Sequence, residues 1–433
     1  MKFNYQKIDL PVKDVIPQIK KELTESSTLI VKAPPGAGKS TLLPLALMNE
    51  PWLKGKKILM LEPRRLAAKT IASRMADLLG EKVGESIGYR IRFESRISAQ
   101  TKIEVLTEGI LTRMIHDDNA LEDVALVIFD EFHERSIHAD VAMALCRETQ
   151  AVLRSDLRIL VMSATIDMPE LSKMLNSPIV ESLGRQFPVE VNYAGDNDMR
   201  MLPELAARTI KMAIDKHEGD VLVFLPGQGE IKKCEEILRR SLNGVMIHPL
   251  YGQLPSNQQF AAIMPNKEGK RKVVLATNIA ETSLTIEGVK VVIDSGFERT
   301  AKFNPGTGLS RLETIQIAKD SAYQRAGRAG RLSAGVCYRM WTIATQSRLD
   351  EQSKPEIEQA DSQGKESYPP VLQQKNSSNI RNAIKKMKQV VSSLASGLDI
   401  PDSLLARKRD LEAYLFADDR QLELLGRGWR KDI

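Results

Sequence analysis

A glycine-rich segment near the N-terminus has the residue types that hold a polyphosphate. Residues 33–41 read Ala-Pro-Pro-Gly-Ala-Gly-Lys-Ser-Thr after the apolar run 28–33. They match the pattern G-x-x-x-x-G-K-[ST], except that Ala33 replaces the first glycine. In this pattern backbone N–H groups surround phosphate oxygens, the lysine pairs with the β and γ phosphates, and a hydroxyl binds Mg²⁺. The predicted phosphate-binding residues are Gly36, Ala37, Gly38, Lys39, Ser40 and Thr41.

A helix is expected to start at Lys39, directly after this loop. The plainer alternative is a glycine turn that only begins a helix. The lysine and hydroxyl behind an apolar strand favour phosphate binding.

Two adjacent carboxylates, Asp130 and Glu131, end the apolar run 125–129. The carboxyl ends of parallel strands are where open α/β sheets bind ligands. We expect Ser40, Asp130 and Glu131 to hold Mg²⁺, and Glu131 also to act as the base that activates a water. His133 is a candidate link between the nucleotide and a second domain. A solvated acidic turn is the alternative interpretation.

An arginine-rich segment, residues 324–331, reads Gln-Arg-Ala-Gly-Arg-Ala-Gly-Arg. Helical spacing would place its arginines three residues apart around a shared anion, and its glycines indicate close approach to another surface. Arg328 and Arg331 are predicted to stabilise charge on a γ-phosphate, with Gln324 touching that phosphate or the attacking water. A solvated basic helix is the alternative.

A smaller hydroxyl-containing segment, residues 163–165, ends another apolar run. Ser163 and Thr165 are expected either to hydrogen-bond the acidic pair or simply to cap the next helix.

Strand-like runs alternate with helical patterns along the chain. This alternation predicts the fold that positions the candidate site residues. Such alternation indicates parallel sheets covered on both faces, hence an α/β fold. The pattern stops near residues 183–198 and then restarts, which predicts two α/β domains at 1–180 and 181–345. Residues 346–378 are polar and aperiodic and predict a linker, and 379–433 predict a basic helical tail. The strand-like runs are 28–33, 56–63, 102–109, 125–131, 157–165, 220–227, 272–278 and 289–297.

Bulk composition narrows the class of protein. With 433 residues, 42% hydrophobic and 27% charged, the chain has enough apolar material for more than one core. The net charge of +6 favours polyanionic partners but is weak evidence alone. Cys146, Cys234 and Cys337 lie too far apart in sequence for a CxxC zinc site or a disulfide framework. They are predicted to be buried free thiols.

No segment has the pattern of a signal peptide, and none approaches the roughly 18 apolar residues of a membrane span. We therefore expect a cytoplasmic protein with no membrane partner.

Together these segments resemble the DEAH/DExH branch of the superfamily 2 helicases, and their sequences are most similar to those of bacterial HrpB-type helicases. The resemblance covers residues 10–360 in order. Besides the three segments above, it rests on residues 62–68, 88–94, 107–109 and 276–286.

The resemblance implies two tandem RecA-like P-loop domains with ATP and Mg²⁺ in the cleft between them. It implies an ATP-dependent RNA helicase that acts as a monomer on single-stranded RNA or on RNA with a single-stranded overhang. Arg74 falls where the family stacks an arginine on adenine, Ser283 falls where it couples the γ-phosphate to the strand, and 297–311 resembles its strand-separating hairpin or else is a plain surface hairpin. The implied nucleic-acid contacts are Arg64, Thr107, Thr277 and Asn278.

The tail resembles a different family, the HRDC-type region of ribonuclease D. The resemblance rests on residues 398–401, 404–412 and 428–430. The alternative is a small helical accessory or a damaged reading frame. Because DEAH helicases continue beyond the motor, a second function stays open, that of an RNA-stimulated ATPase without unwinding.

Overall fold

The computed structural model describes residues 3–164, 168–184, 187–195, 199–266, 269–282, 286–304, 309–353, 356, 386–393 and 396. The chain divides into two compact units, Met1–Ser362 and Gln363–Ile433. In the second unit, residues 386–393 are helical. The elements below all belong to the first unit.

The N-terminal half forms an eight-stranded sheet with the order β4-β3-β5-β2-β6-β7-β1-β8. Every pairing is parallel except that of β3 with β4. The strands are β1 (Thr28–Lys32), β2 (Lys57–Leu61), β3 (Ile87–Ile91), β4 (Glu94–Arg96), β5 (Ile103–Leu106), β6 (Val124–Phe129), β7 (Arg158–Ser163) and β8 (Ile179–Glu181). The helices are α1 (Ile16–Glu25), α2 (Leu42–Leu47), α3 (Arg65–Leu79), α4 (Glu108–Asp117), α5 (Ile137–Val152) and α6 (Met168–Leu175).

The following segment builds a second parallel sheet of six strands, in the order β11-β12-β10-β13-β16-β9. The remaining two strands, β14 and β15, pair antiparallel as a separate hairpin. The strands are β9 (Val189–Tyr193), β10 (Asp220–Phe224), β11 (Met246–Leu250), β12 (Lys272–Ala276), β13 (Val289–Asp294), β14 (Phe297–Asn304), β15 (Leu309–Gln316) and β16 (Gly335–Arg339). The helices are α7 (Leu202–Lys216), α8 (Gln228–Arg239), α9 (Ser256–Ile263), α10 (Lys319–Ala326) and α11 (Ile343–Arg348).

The central strands are apolar throughout because helices cover both faces of each sheet. β6 is buried at every position, and one of its faces packs in one core cluster while the other packs in a second. This is why the central strands could be predicted from continuous apolar runs. The strands that were not predicted are β3, β4, β8, β9, β11 and β16. Most of them are only partly buried, so no continuous apolar run marks them.

The hairpin at 297–311 is present as β14 and β15, whose strands extend to Gln316. Its tip, residues 305–308, lies outside the described residues.

The predicted linker starts too early. Residue 346 lies inside α11, and the buried Gln346 accepts a hydrogen bond of 2.9 Å from Trp341 Nε1. Leu349 is also buried in the small cluster around Trp341. Farther on, Glu356 Oε2 accepts from the N–H of Ile137 at 3.0 Å, at the start of α5. The polar composition of residues 343–348 gives no apolar pattern from which this helix could be predicted.

The three cysteines are buried free thiols, as predicted. Among the described residues, no helix is long and apolar enough to cross a membrane.

Candidate active site

The glycine-rich loop leaves the carboxyl end of β1 in the interior of the first sheet. Gly36 and Gly38 adopt left-handed φ angles of +84° and +91°. A Cβ on Gly38 would lie 2.8 Å from Leu10 Cδ1, so both conformation and space require glycine there. Ala33 is fully buried, and its N–H donates to the Ser163 carbonyl at 3.0 Å. A small residue therefore suffices where the usual pattern has its first glycine.

The helix after the loop begins at Leu42, so the prediction that it starts at Lys39 was wrong. The Gly38 carbonyl accepts from the N–H of Thr41 at 3.3 Å and of Leu42 at 2.8 Å. The chain therefore makes one irregular turn at residues 39–41 before regular helix starts. A left-handed glycine cannot be part of a right-handed helix, which delays the start.

The acidic pair lies directly against this loop. The buried Lys39 Nζ donates to Glu131 Oε1 at 2.8 Å, although 92 residues separate them. The Ser40 hydroxyl hydrogen-bonds Asp130. Strand β6 ends at Phe129, and Glu131 has a left-handed φ of +48°, which turns the chain sharply at this point. All of the predicted Mg²⁺ ligands therefore lie together.

Burial and the charge of Lys39 shift the pKa values of the two carboxyl groups in opposite directions. Burial raises the pKa of Asp130 to about 7, with Lys39 only partly opposing this. Burial alone would also raise the pKa of Glu131, but Lys39, His133 and Arg328 outweigh it and lower that pKa to about 2. Glu131 is therefore held as a carboxylate.

Ser163 was expected to hydrogen-bond this acidic pair, and His133 was a candidate link between the nucleotide and the second domain. His133 Nδ1 lies 3.4 Å from Glu131 Oε2, at the upper limit for a hydrogen bond. The buried Ser163 Oγ makes no hydrogen bond in the described part of the chain, so its predicted bond to the acidic pair is not formed. Thr165 lies outside the described residues.

The arginine segment is not one continuous helix. α10 ends at Ala326, and residues 327–330 continue as turns. The N–H of Phe187 donates to the Gly330 carbonyl at 3.1 Å, and a Cβ on Gly330 would lie 2.6 Å from the Phe187 carbonyl oxygen. The inference of close approach is thus confirmed at Gly330. The predicted helical spacing fails because this contact directs the chain out of the helix.

Arg325 is enclosed by carboxylates of its own domain. Its guanidinium is 1% exposed and pairs with Glu281 at 2.8 Å, Asp294 at 3.1 Å and Glu298 at 3.1 Å. Burial alone would lower the pKa of Arg325, but the three carboxylates outweigh it and raise that pKa. This arginine therefore serves the packing of the second domain.

Arg328 and Arg331 instead face the first domain. Burial and the neighbouring Arg331 lower the pKa of Arg328 well below its usual value, with Glu131 opposing this. Burial lowers the pKa of Arg331 to about 10, again opposed by Glu131. Burial and, to a smaller extent, Arg331 oppose the rise in the pKa of Lys39 that Glu131 and Asp130 produce. Both arginines therefore lie within electrostatic range of Glu131, and Arg331 also lies within range of Lys39, across the boundary between the two sheets.

A cavity of about 710 Å³ lies between the two walls of this site. Pro34, Pro35 and Ala164 line it from the first sheet, and Gln324 and Arg331 from the second. Arg74 is exposed on α3 and does not belong to this lining. Ser283 lies outside the described residues.

Comparison with known proteins identifies the family. Residues 13–174 match the DEAD/DEAH box helicase family, and residues 203–333 match the helicase conserved C-terminal domain. The ATP-dependent RNA helicase HrpB of Escherichia coli is 48% identical over 357 residues, which is 82% of this chain and 44% of that protein. The chain belongs to the DEAH/DExH helicases, of the HrpB type.

Other relatives agree with this assignment. The ATP-dependent RNA helicase HrpA of Borreliella burgdorferi is 38% identical, covering 77% of this chain and 41% of that protein. The crystal structure of the Escherichia coli DEAH/RHA helicase HrpB superposes with a TM-score of 0.77 at 47% identity, covering 82% of this chain and 45% of that one. The chain thus spans less than half the length of these relatives. The two sheets are the two RecA-like domains of the helicase fold.

Two of the residues implied to contact nucleic acid, Arg64 and Asn278, meet at the boundary between the RecA-like domains. Arg64 Nη1 donates to the backbone carbonyl of Asn278, and Arg64 Nη2 lies 3.1 Å from Glu134 Oε1. Thr107 and Thr277 directly follow β5 and β12, and both are partly buried. Arg64 and Asn278 are therefore brought together, whereas the two threonines follow strands of different sheets.

Two acidic residues of this helicase site were missed in the sequence. Glu281 pairs with Arg325, and its backbone carbonyl accepts from Arg328 Nε at 2.7 Å. Glu134 contacts Arg64 and accepts a hydrogen bond from the Thr282 hydroxyl. Both residues lie inside or next to segments that resemble helicase motifs. A carboxylate at such a position was the sequence feature from which either residue could have been predicted.

Proposed function

We propose that this chain is an ATP-dependent RNA helicase motor that hydrolyses ATP in the cleft between its RecA-like domains. One observation carries the proposal. Arg328 and Arg331 of the second domain lie within electrostatic range of Glu131 of the first, and Arg331 also lies within range of Lys39. A site divided in this way is complete only when the domains are together, so hydrolysis depends on domain closure.

The residue roles follow from chemistry and position. The loop residues Gly36, Ala37, Gly38 and Thr41 bind phosphate oxygens, and Lys39 pairs with the β and γ phosphates. In the resting site Lys39 is paired with Glu131 at 2.8 Å. An incoming γ-phosphate would compete for this lysine and release Glu131 to orient and deprotonate the attacking water. Arg328, Arg331 and Gln324 stabilise the charge that spreads over the transferred phosphoryl group.

The acidic pair fits a bound Mg²⁺. Asp130 Oδ2 is buried and has no hydrogen-bond partner among the described residues, and the Ser40 hydroxyl already lies against this carboxyl group. Two oxygen ligands from the protein suit Mg²⁺, which usually completes its shell with water and nucleotide phosphates. Bound there, the metal would supply charge neutralisation at the β and γ phosphates.

RNA is proposed to bind where the two domains meet, through Arg64, Thr107, Thr277 and Asn278. Guanidinium, hydroxyl and amide groups hold the strand through its backbone and do not read base sequence. Arg74 is proposed to stack on adenine and Ser283 to link the γ-phosphate to the strand. Relatives named as RNA helicases support this assignment.

The hydrolytic roles are tested with Lys39→Ala and Glu131→Gln in the full chain. Both should abolish ATP turnover, while Glu181→Gln, which removes the charge of a surface ion pair with Lys32, should behave as wild type. A near-normal rate in either active-site variant would overturn the assignment.

Strand separation is tested on an RNA duplex with a 3′ overhang. The proposal expects ATP-dependent unwinding by the wild-type chain. ATPase stimulation by RNA without any strand separation would restrict the function to an RNA-stimulated ATPase.

A further inference from the structure

The position that the proposed function gives to an RNA phosphate already holds a carboxylate. Glu134 Oε1 lies 3.1 Å from Arg64 Nη2, and both side chains are largely buried, 22% and 18% exposed. The same carboxylate oxygen accepts from the Thr282 hydroxyl. Glu134 belongs to the first domain and Thr282 to the second, so this carboxylate joins the two domains through a single group.

A second residue that is predicted to contact RNA, Asn278, is also paired with a carboxylate. The Asn278 side chain hydrogen-bonds Glu298, while its backbone carbonyl accepts from Arg64. These groups surround a cavity of about 740 Å³. Its lining includes the acidic residues Glu134, Glu281 and Glu298 together with the arginines Arg64 and Arg348. An RNA phosphate entering here must displace carboxylates, because the two anions repel and require the same guanidinium.

Glu134 is also tied to the catalytic end of the site. It ends a short 3-10 turn, Phe132–Glu134, whose preceding residue is Glu131. The N–H of Glu134 donates to the Glu131 carbonyl at 2.9 Å. Only two residues therefore separate the proposed base, Glu131, from the group that pairs with Arg64. A change in the partner of Glu134 acts on the turn that orients Glu131.

We propose that Glu134 is a positioning residue that competes with the RNA backbone for Arg64 and thereby links strand binding to the turn carrying Glu131. Without RNA, the Glu134 carboxylate restrains this turn through Arg64 and Thr282. When a phosphate takes Arg64, the carboxylate is released and the restraint on Glu131 is relieved. This inference rests on the proposed function, since it requires RNA at Arg64.

The test is Glu134→Gln, which removes the charge and keeps the shape. RNA binding is measured by fluorescence anisotropy with a labelled 20-nucleotide oligouridylate, without nucleotide. We expect half-saturation at about three- to tenfold lower RNA concentration than wild type, the range of a partly buried ion pair. The ATPase rate without RNA should rise, and the ratio of RNA-stimulated to basal rate should fall.

The matched control is Glu181→Gln, the same chemical change in the surface ion pair with Lys32 of the same domain. It should match wild type in binding and in both rates. RNA affinity of Glu134→Gln equal to or weaker than wild type would overturn the competition. If wild type itself neither binds RNA nor is stimulated by it, the proposed function fails and this inference fails with it.

A second measurement avoids any folding defect of the variant. Hydrogen exchange is followed in wild-type peptides covering residues 131–137, with and without the oligouridylate. Release of Glu134 predicts faster amide exchange in this turn when RNA is bound. Unchanged or slower exchange on RNA binding contradicts the proposal.

Discussion

Arg325 and Arg331 lie six positions apart in one segment and have opposite electrostatic environments. Arg325 is surrounded by three carboxylates of its own domain, and its pKa is raised. Burial lowers the pKa of Arg331 to about 10, and Glu131 of the other domain opposes this shift only in part. The charge of Arg325 is compensated by its own domain, whereas burial dominates at Arg331. We therefore propose a structural role for Arg325 and a catalytic role for Arg331.

The largest effect is expected on catalysis, for Arg331→Ala. Loss of an arginine that stabilises a transferring phosphoryl group lowers turnover by about a thousandfold or more. Thermal stability should stay near wild type, because no carboxylate loses its only partner: Glu131 keeps Lys39. Steady-state ATPase rates and thermal unfolding check this, with the exposed Arg240→Ala as the control. A stable variant with a normal rate would remove Arg331 from the mechanism.

Arg325→Met should show the converse pattern, with the main loss in stability. It leaves three buried carboxylates without their cation, which costs about 3–5 kcal/mol in unfolding free energy. Urea unfolding measures this. Arg299→Ala breaks a more exposed pair with Glu230 and should cost less than about 1 kcal/mol. Equal stabilities for the two variants would contradict the structural role of Arg325.

Binding of an ATP analogue should depend on Arg331, in keeping with the contrast between Arg325 and Arg331. A non-hydrolysable ATP analogue with Mg²⁺, at about a hundred times its dissociation constant, should stabilise wild type by about 2.7 kcal/mol. The gain should shrink in Arg331→Ala, because one cation of the phosphate site is lost. It should also shrink when EDTA removes the metal from Asp130 and Ser40. An identical shift with and without EDTA would argue against the metal site.

The smallest effect is expected for the two glycines of the segment. A Cβ on Gly330 would lie 2.6 Å from the Phe187 carbonyl oxygen, whereas one on Gly327 would lie 3.3 Å from its nearest atom. Gly330→Ala should therefore cost about 1–3 kcal/mol of stability. Gly327→Ala should cost less. Thermal unfolding of both variants distinguishes them, and the reverse order would mean that the close contact is not required.

What the sequence predicted well depends on local pattern. The runs that became β1, β6 and β10 are continuous and apolar because both faces of their sheets are buried. Residues 33–41 and the pair Asp130–Glu131 carry their chemistry in adjacent residues, so both segments were found from sequence. The direct pairing of Lys39 with Glu131 was not predicted. The roles assigned to these residues stay predictions.

What the sequence did not predict depends on distant contacts or on backbone conformation. The late start of α2 follows from the left-handed Gly38, and the early end of α10 accompanies the contact between Gly330 and Phe187. Glu134 meets Thr282 across 148 residues. No local pattern reveals such a partner, which is why Glu134 was missed while its neighbour Glu131 was found.

The central claim is that ATP is hydrolysed in a site divided between two domains and that strand binding at the same domain boundary controls this hydrolysis. The most direct test is the steady-state ATPase rate of wild type and Arg331→Ala, with and without saturating single-stranded RNA. The account predicts that RNA accelerates wild type several-fold and that Arg331→Ala stays near background in both conditions. A wild-type rate that RNA does not change, or an Arg331→Ala rate that RNA restores, would contradict it.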